Sequence, residues 1–175
     1  LLALVLITLD MTLQSSNVTF AETNRAPSLA ASAVGDWNQL GRDPQRTNYS
    51  PQQVDPPYCY TWKWYEVPIA SRAQPVVVGG RLFIGSMDGV MYGRDASTGA
   101  PLWAFAASGP IRHSAGVIGN TVIFSSHDGY TYALNATNGS QIWKTLTGAS
   151  ATAPLLDDAS GRAYVASTNG TLTAL

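Results

Sequence analysis

Charge is scarce in this sequence, cysteine almost absent and sustained helical periodicity missing, and each shortage excludes something. Charged residues make up 12%, with ten Lys+Arg against eleven Asp+Glu and a formal net charge of −1. That balance leaves no basic surplus to neutralise a phosphate backbone, and no Lys/Arg run stands out, so nucleic acid is not an expected partner. Cys59 stands alone, which rules out an intramolecular disulfide, a CxxC zinc site and paired-thiol redox chemistry within these residues. After residue 36 no stretch keeps a 3.6-residue apolar period for three turns, and Gly or Pro interrupts nearly every window, so helices have little room. What is present is a 45% hydrophobic composition over 175 residues, enough to fill a globular core.

The run LLALVLITL, Leu1 to Leu9, is apolar and has no initiating Met ahead of it. After Asp10 the chain turns polar, and small residues follow around Phe20-Ala21 and from Ser28 to Ala33, the order found after the h-region of a secretory signal. The expectation is an exported protein, periplasmic, cell-envelope or extracellular, in which residues 1–33 are a signal-peptide or anchor remnant plus a linker. Nine apolar residues are too few for a hydrocarbon core that needs about 20, so membrane attachment would run only through a longer, uncleaved form of this segment. Residues 34–73 then read as a lead-in and 74–175 as a repeat region.

The repeat is plain. Met87-Asp88-Gly89 returns as His127-Asp128-Gly129 and again as Thr168-Asn169-Gly170, at spacings of 40 and 41 residues, and Trp103 returns at Trp143. A fixed period of this length marks a repeat architecture. The units run 74–113, 114–152 and, incomplete, 153–175. In each, short β-branched or aromatic runs alternate with turn pairs, the pattern of consecutive antiparallel strands. The first unit is expected to place strands near Pro75–Val78, Leu82–Gly85, Val90–Arg94 and Leu102–Phe105. Gly79-Gly80, Asp88-Gly89 and Ser97-Thr98-Gly99 would join them, with the Asp-Gly and Asn-Gly pairs suited to type I′ hairpins. Four-stranded units of about 40 residues fit the blades of an all-β propeller, which bury their faces only against neighbouring blades. About two and a half such blades are present where a closed ring takes roughly four to eight, so the expected fold is a partial propeller with further blades missing from its C-terminal side. Alone, such a piece would expose apolar faces and unpaired strand edges and tend to aggregate.

The stretches GRDASTGAPLW, Gly93 to Trp103, and ALNATNGSQIW, Ala133 to Trp143, resemble the pyrroloquinoline quinone (PQQ) repeat, whose consensus runs roughly ALDaxTGxxxW. The resemblance is closest in style to BamB-like exported propellers, and it implies that Trp103 and Trp143 dock between adjacent blades, near the peptide planes of the next repeat. By the same resemblance Gly99 and Gly139 make the tight turn, and Asp95 and Asn135 hold the acidic position that precedes it. Gly93-Arg94 departs from the usual Ala-Leu, and a third motif would begin at Ala174-Leu175. The segment DWNQLGRDPQRTNYSP, Asp36 to Pro51, looks like the lead-in of this superfamily, and Trp62-Lys63-Trp64 would supply a strand to the last blade of a closed ring.

Two functional classes share the repeat. One is the quinoprotein dehydrogenase, which carries PQQ on a calcium ion; the other is the cofactor-free propeller whose loops bind polypeptides. Quinoprotein alcohol dehydrogenases typically carry a vicinal Cys pair and long insertions, and this sequence has one isolated Cys and compact units. Calcium needs several oxygen ligands in one place, and Asp88, Asp95 and Asp128 each have a turn role that accounts for them. The expectation is therefore a binding or assembly scaffold with no catalytic, cofactor or metal residue in this part of the chain. PQQ and calcium enter only if the parent is a truncated alcohol or sugar dehydrogenase; a sensor ectodomain of a membrane-anchored receptor is a further alternative. Arg112-His113, between the first two units, could face the central channel and a ligand, although exposure to solvent or a local hydrogen bond explains the pair as well. His127 has the same plain reading, and neither His has the spaced partner of a zinc site.

Overall fold

The computed structural model describes residues 36–43, 46–47, 61–65 and 67–175. The apolar N-terminal run and Cys59 lie outside them. The described residues contain no helix. Eleven strands follow in chain order: β1 (Val76–Val78), β2 (Arg81–Gly85), β3 (Val90–Asp95), β4 (Pro101–Ala106), β5 (Gly116–Ile118), β6 (Thr121–Ser125), β7 (Tyr130–Asn135), β8 (Gln141–Leu146), β9 (Leu155–Asp157), β10 (Arg162–Ala166) and β11 (Leu172–Ala174). They form two four-stranded antiparallel sheets, β1-β2-β3-β4 and β5-β6-β7-β8, and a three-stranded sheet β9-β10-β11. The four strands expected for the first unit all form, each within about a residue of its expected limits. The two complete sheets also share their irregularity, a register shift at Gly93/Arg94 and again at Ala133/Leu134.

Turn chemistry differs from expectation at one place. A type I′ turn needs positive φ at both central residues, yet positive φ is confined to Gly89 (86°), Gly129 (94°) and Gly170 (84°) and does not extend to Asp88, Asp128 or Asn169. Each hairpin is instead a longer loop in which the Gly N–H returns to the carbonyl of Ser86, Ser126 or Ser167, three residues earlier. The buried serine N–H groups then bond Val90, Tyr130 and Thr171 across the hairpin. The acidic or amide side chain is thereby free to accept from the backbone ahead of it, which a type I′ geometry would not require. Among the strand-to-strand hairpins of the described residues, Gly79-Gly80, with φ of 55° and 73°, is the pair that has positive φ at both loop residues.

The apolar core lies between sheets, as blade packing demands. Val76, Phe83 and Met91 of the first sheet cluster with Ile111 and Ala115 of the connection and with Val117, Val122, Phe124, Tyr132 and Leu134 of the second. A smaller cluster joins Ile123 and Ala133 to Leu156 and Ala163 of the third. Full burial of a side chain such as Phe83 or Phe124 contributes about 1.5–3 kcal/mol, and neither sheet can obtain it alone.

The first strands of successive sheets are neighbours, β1 beside β5 and β5 beside β9. A segment of the lead-in runs along their otherwise free edges. Trp37 exchanges both backbone hydrogen bonds with Val77, each 2.7 Å, and the Asn38 carbonyl accepts from Val117 N–H at 2.7 Å. At the third sheet a side chain takes over: Gln39 Oε1 accepts from Leu156 N–H at 3.1 Å, and its Nε2 donates to Leu156 O at 3.4 Å. Val77, Val117 and Leu156 occupy one register position in the three sheets. Three consecutive residues thus tie three blades at equivalent points, and an inner row of N–H groups that would invite edge pairing is covered.

Gln39 is 1% exposed, so Gln39→Ala leaves a buried N–H and a buried carbonyl of Leu156 unpaired. The expected loss is about 1–3 kcal/mol, read as a lower melting temperature by circular dichroism, whereas Asp36→Ala, which removes only a solvent-exposed 3.3 Å bond from Gly79 N–H, should change the melt little.

Candidate functional site

Antiparallel order puts two kinds of feature at opposite ends of each sheet. The β1–β2 and β3–β4 turns share one end; the β2–β3 hairpin and the connection between units share the other.

At the first end lies the repeat motif. Trp103, in β4, donates its indole N–H to the Ala136 carbonyl at 3.0 Å, and its ring covers Gly139 of the next sheet. A Cβ built on Gly139 would stand 2.7 Å from the ring, and the φ of +73° itself disfavours any other residue. The carbonyl is fixed from behind, because Ala136 N–H bonds Asn120 O at 2.9 Å. The same arrangement occurs one unit earlier with a residue that the repeat does not contain. Trp62 donates to Ala96 O at 3.0 Å and its ring covers Gly99, whose hypothetical Cβ would lie 2.6 Å away. Expected as a strand, Trp62-Lys63-Trp64 forms none among the described residues; a strand needs a partner edge, and none of the described strands pairs with it. What it supplies is the docking side chain itself, 41 residues before Trp103. Trp64 adds an edge contact to Tyr92 at 4.8 Å and lies 4.2 Å from the Arg94 guanidinium, a role for the Arg that departs from the repeat consensus. Trp143, in β8, lines an open groove with Ile118, Ile123 and Leu175, and the position matching Gly139 in its unit falls past Leu175.

Asp95 and Asn135 organise the turns that receive these rings. Asp95 Oδ1 accepts from the Ser97 hydroxyl at 2.6 Å, Thr98 N–H at 2.8 Å, the Thr98 hydroxyl at 2.9 Å and Ser97 N–H at 3.0 Å. Asn135 Oδ1 accepts from Thr137 N–H at 2.8 Å and Asn138 N–H at 3.3 Å. The Ser97 hydroxyl, with the Thr98 backbone and hydroxyl, holds the Asp95 carboxyl down at about 2.

At the other end the hairpin acids serve the backbone. Asp128 accepts from Tyr130 N–H at 2.9 Å, from the Tyr132 hydroxyl at 2.6 Å and from Ser108 N–H of the preceding connection at 3.0 Å. Burial, then the bond to Asp128, pushes the Tyr132 phenol up to about 12. Asp88 accepts from Ser86 and, at 3.4 Å, from both Val90 N–H and the Tyr92 hydroxyl; Asn169 accepts from Ser167 and from Thr171 N–H at 3.1 Å. Each hairpin is also tied to the segment leading into the next or same unit, through Met87 N–H to Pro68 O, His127 N–H to Pro110 O and Thr168 N–H to Ala149 O. Sequence reasoning singles out neither Gln39 nor the three serines, and it takes Trp62 for part of a strand rather than for a docking ring. A search for Trp at the repeat spacing ahead of the first unit would have found Trp62.

Arg112, His113 and His127 come together here, with Arg72, around an open cleft. The residues present do not fit a metal centre: no three His, Cys, Asp or Glu converge among the described residues, and Asp88, Asp95 and Asp128 are engaged in separate turns. Among the described residues there is therefore no ligand set of the kind a calcium ion carrying PQQ would need.

Sheets stacked about a common axis, with inner strands adjacent and docking tryptophans between them, define a β-propeller of PQQ-like repeats. Residues 37–175 match the family described as outer membrane protein assembly factor BamB, and the chain belongs to that family. Among solved structures, the quinohemoprotein alcohol dehydrogenase ADHIIG from Pseudomonas putida HK5 is similar at a TM-score of 0.66 and 20% identity, over 80% of this chain and 25% of that one. The quinohemoprotein alcohol dehydrogenase from Comamonas testosteroni gives 0.62 and 22%, over 78% and 23%; at these identities the likeness is one of fold. BamB from Moraxella catarrhalis is 25% identical over 62% of this chain and 32% of that one, at a TM-score of 0.49. The chain thus spans a quarter to a third of the length of these structures. No curated protein matches it.

Two outcomes follow. Trp103→Phe keeps a smaller aromatic ring and removes the N–H donor, leaving Ala136 O without it; a loss of about 1–3 kcal/mol is expected in thermal melts, and Trp143→Phe should cost less because no such acceptor faces it among the described residues. For Asp95, the folded pKa of about 2 lies below the ordinary 3.8, so its stabilisation is complete above that ordinary value and drains away as pH falls towards 2. Asp95→Asn, which retains the acceptor as Asn135 does, should flatten the acid limb of a pH-dependent melt in that window.

Proposed function

We propose that this protein is an exported, extracytoplasmic propeller that acts as a binding or assembly scaffold, its loop end engaging protein partners. The observation that carries the reading is how the polar residues of the blades are used. Asp88, Asp95, Asp128, Asn135 and Asn169 each accept hydrogen bonds that shape a turn, and among the described residues none joins a cluster able to hold a metal. A rigid frame with its chemistry consumed internally has loops left for recognition. Membership of a family described as an outer membrane assembly factor supports the same reading and the export it requires. The apolar start, Leu1 to Leu9, fits an export signal.

Quinoprotein dehydrogenation is the competing reading, and one assay separates the two. Full-length protein reconstituted with PQQ and calcium should give no dye-linked alcohol oxidation above the cofactor-free control. A photo-crosslinking residue at Ser71 or Thr168, on the loop end, should capture an envelope protein that the same residue at Asn138, on the opposite end, does not. Turnover above the control, or equal capture from both ends, overturns the scaffold.

A further inference from the structure

The loop end carries an open cleft of about 660 Å³ where residues from three units meet. Arg72 and Arg112 occupy one repeat position, ahead of β1 and β5, and both are exposed. His113 and His127 join them, with Ile69 and Met87 contributing apolar wall. No carboxylate lines the cleft among the described residues, and neither arginine has an ion-pair partner there. His113 Nδ1 lies 3.1 Å from Ser150 Oγ of the third unit. His127 Nδ1 is buried and makes no hydrogen bond among the described residues. Asp88 and Asp128, each beside a lining residue in sequence, are turned into their own hairpins. In a chain of net charge −1, this is a local concentration of positive charge with no acidic lining among the described residues. Its effect is felt inside the cleft: burial, then the charges of Arg72, His127 and Arg112, lowers the His113 pKa.

We propose that this cleft binds an acidic polypeptide segment, with Arg72 and Arg112 receiving its carboxylates and Ile69 and Met87 an apolar side chain. The guanidinium fork suits a carboxylate, and apolar surface beside the charges suits a peptide better than a phosphate backbone, for which the chain has no basic surplus. The inference rests on the scaffold reading and names the chemistry of its partner.

The test is fluorescence anisotropy of the full chain with a short labelled peptide alternating Glu, Gly and Leu. Saturable binding is expected, weakening as NaCl is raised, and absent for the same peptide with Gln in place of Glu. Joint replacement by Arg72→Ala and Arg112→Ala should weaken it about tenfold, and Arg162→Ala, at an exposed arginine outside the cleft, should not. Both arginines are exposed, so the melt of the double variant should match that of the parent; Arg72→Gln with Arg112→Gln repeats the test with longer side chains retained. Equal binding of the Gln peptide, no loss in either double variant, or displacement by citrate, inorganic phosphate or a DNA oligonucleotide at lower concentration than by the unlabelled peptide each overturns the proposal. Loss of the peptide site with loop-end crosslinking intact would remove this inference and leave the scaffold standing.

Discussion

An indole ring laid over a glycine turn is the contact on which the arrangement of these sheets depends. The last strand of each complete blade is its most exposed, with Leu102, Ile142 and Leu146 open to solvent, so in β4 it needs a reason to stay against the neighbour beyond the edge contacts of Phe105 with Phe124 and Tyr132. Trp103 supplies that reason from the middle of the strand. Its ring buries a large apolar area, and its N–H ends on the carbonyl of Ala136, whose own N–H is held by Asn120 O of the β5–β6 turn. Acceptor and ring surface are thus both preformed, and the Trp selects one orientation of the next blade. The arrangement also explains why Asp95 and Asn135 matter: they fix the turn that presents Gly99 or Gly139, and a turn free to move could not be a docking surface.

Near the axis the same problem is solved differently. Inner strands of three residues leave few backbone partners, and the segment Trp37-Asn38-Gln39 supplies them from outside the repeat. Gln39 behaves as a peptide group, accepting from and donating to Leu156. Peripheral tryptophans and the inner segment constrain the blades at both margins, with the apolar clusters between. Two separated constraints define the angle between sheets better than either could alone.

How much of this was legible depends on whether a feature repeats. The period, the strands and the positions of Trp103, Trp143, Gly99 and Gly139 could be read because the chain states them twice. The bridge by Gln39 could not, since one carboxamide in a non-periodic stretch leaves no pattern, and its partner is 117 residues away. Trp62 was visible but was read as strand, because a Trp flanked by β-formers looks the same whether its backbone or its ring makes the contact. Asp-Gly was read as a two-residue hairpin for a related reason: the dipeptide serves several turns, and only the backbone bonds of Ser86 and Ser126 distinguish them. Of the basic cleft, Arg112, His113 and His127 are visible as candidates in the sequence, whereas their meeting with Arg72 across three units depends on the fold.

That contrast bears on where recognition can reside. Positions that hold the blades are the same from unit to unit: Ser86, Ser126 and Ser167; Gly89, Gly129 and Gly170; Trp103 and Trp143. Positions around the cleft are not: Met87, His127 and Thr168 share one place in the repeat, and Arg72, Arg112 and Ala151 another. A repeat can vary its loop residues without cost because the hairpin is closed by backbone, by the serine and by the acid beside it, none of which needs the side chain in between. The frame therefore dictates almost nothing at the residues that face outward from the loop end, and the selectivity of the proposed scaffold would have to be written there.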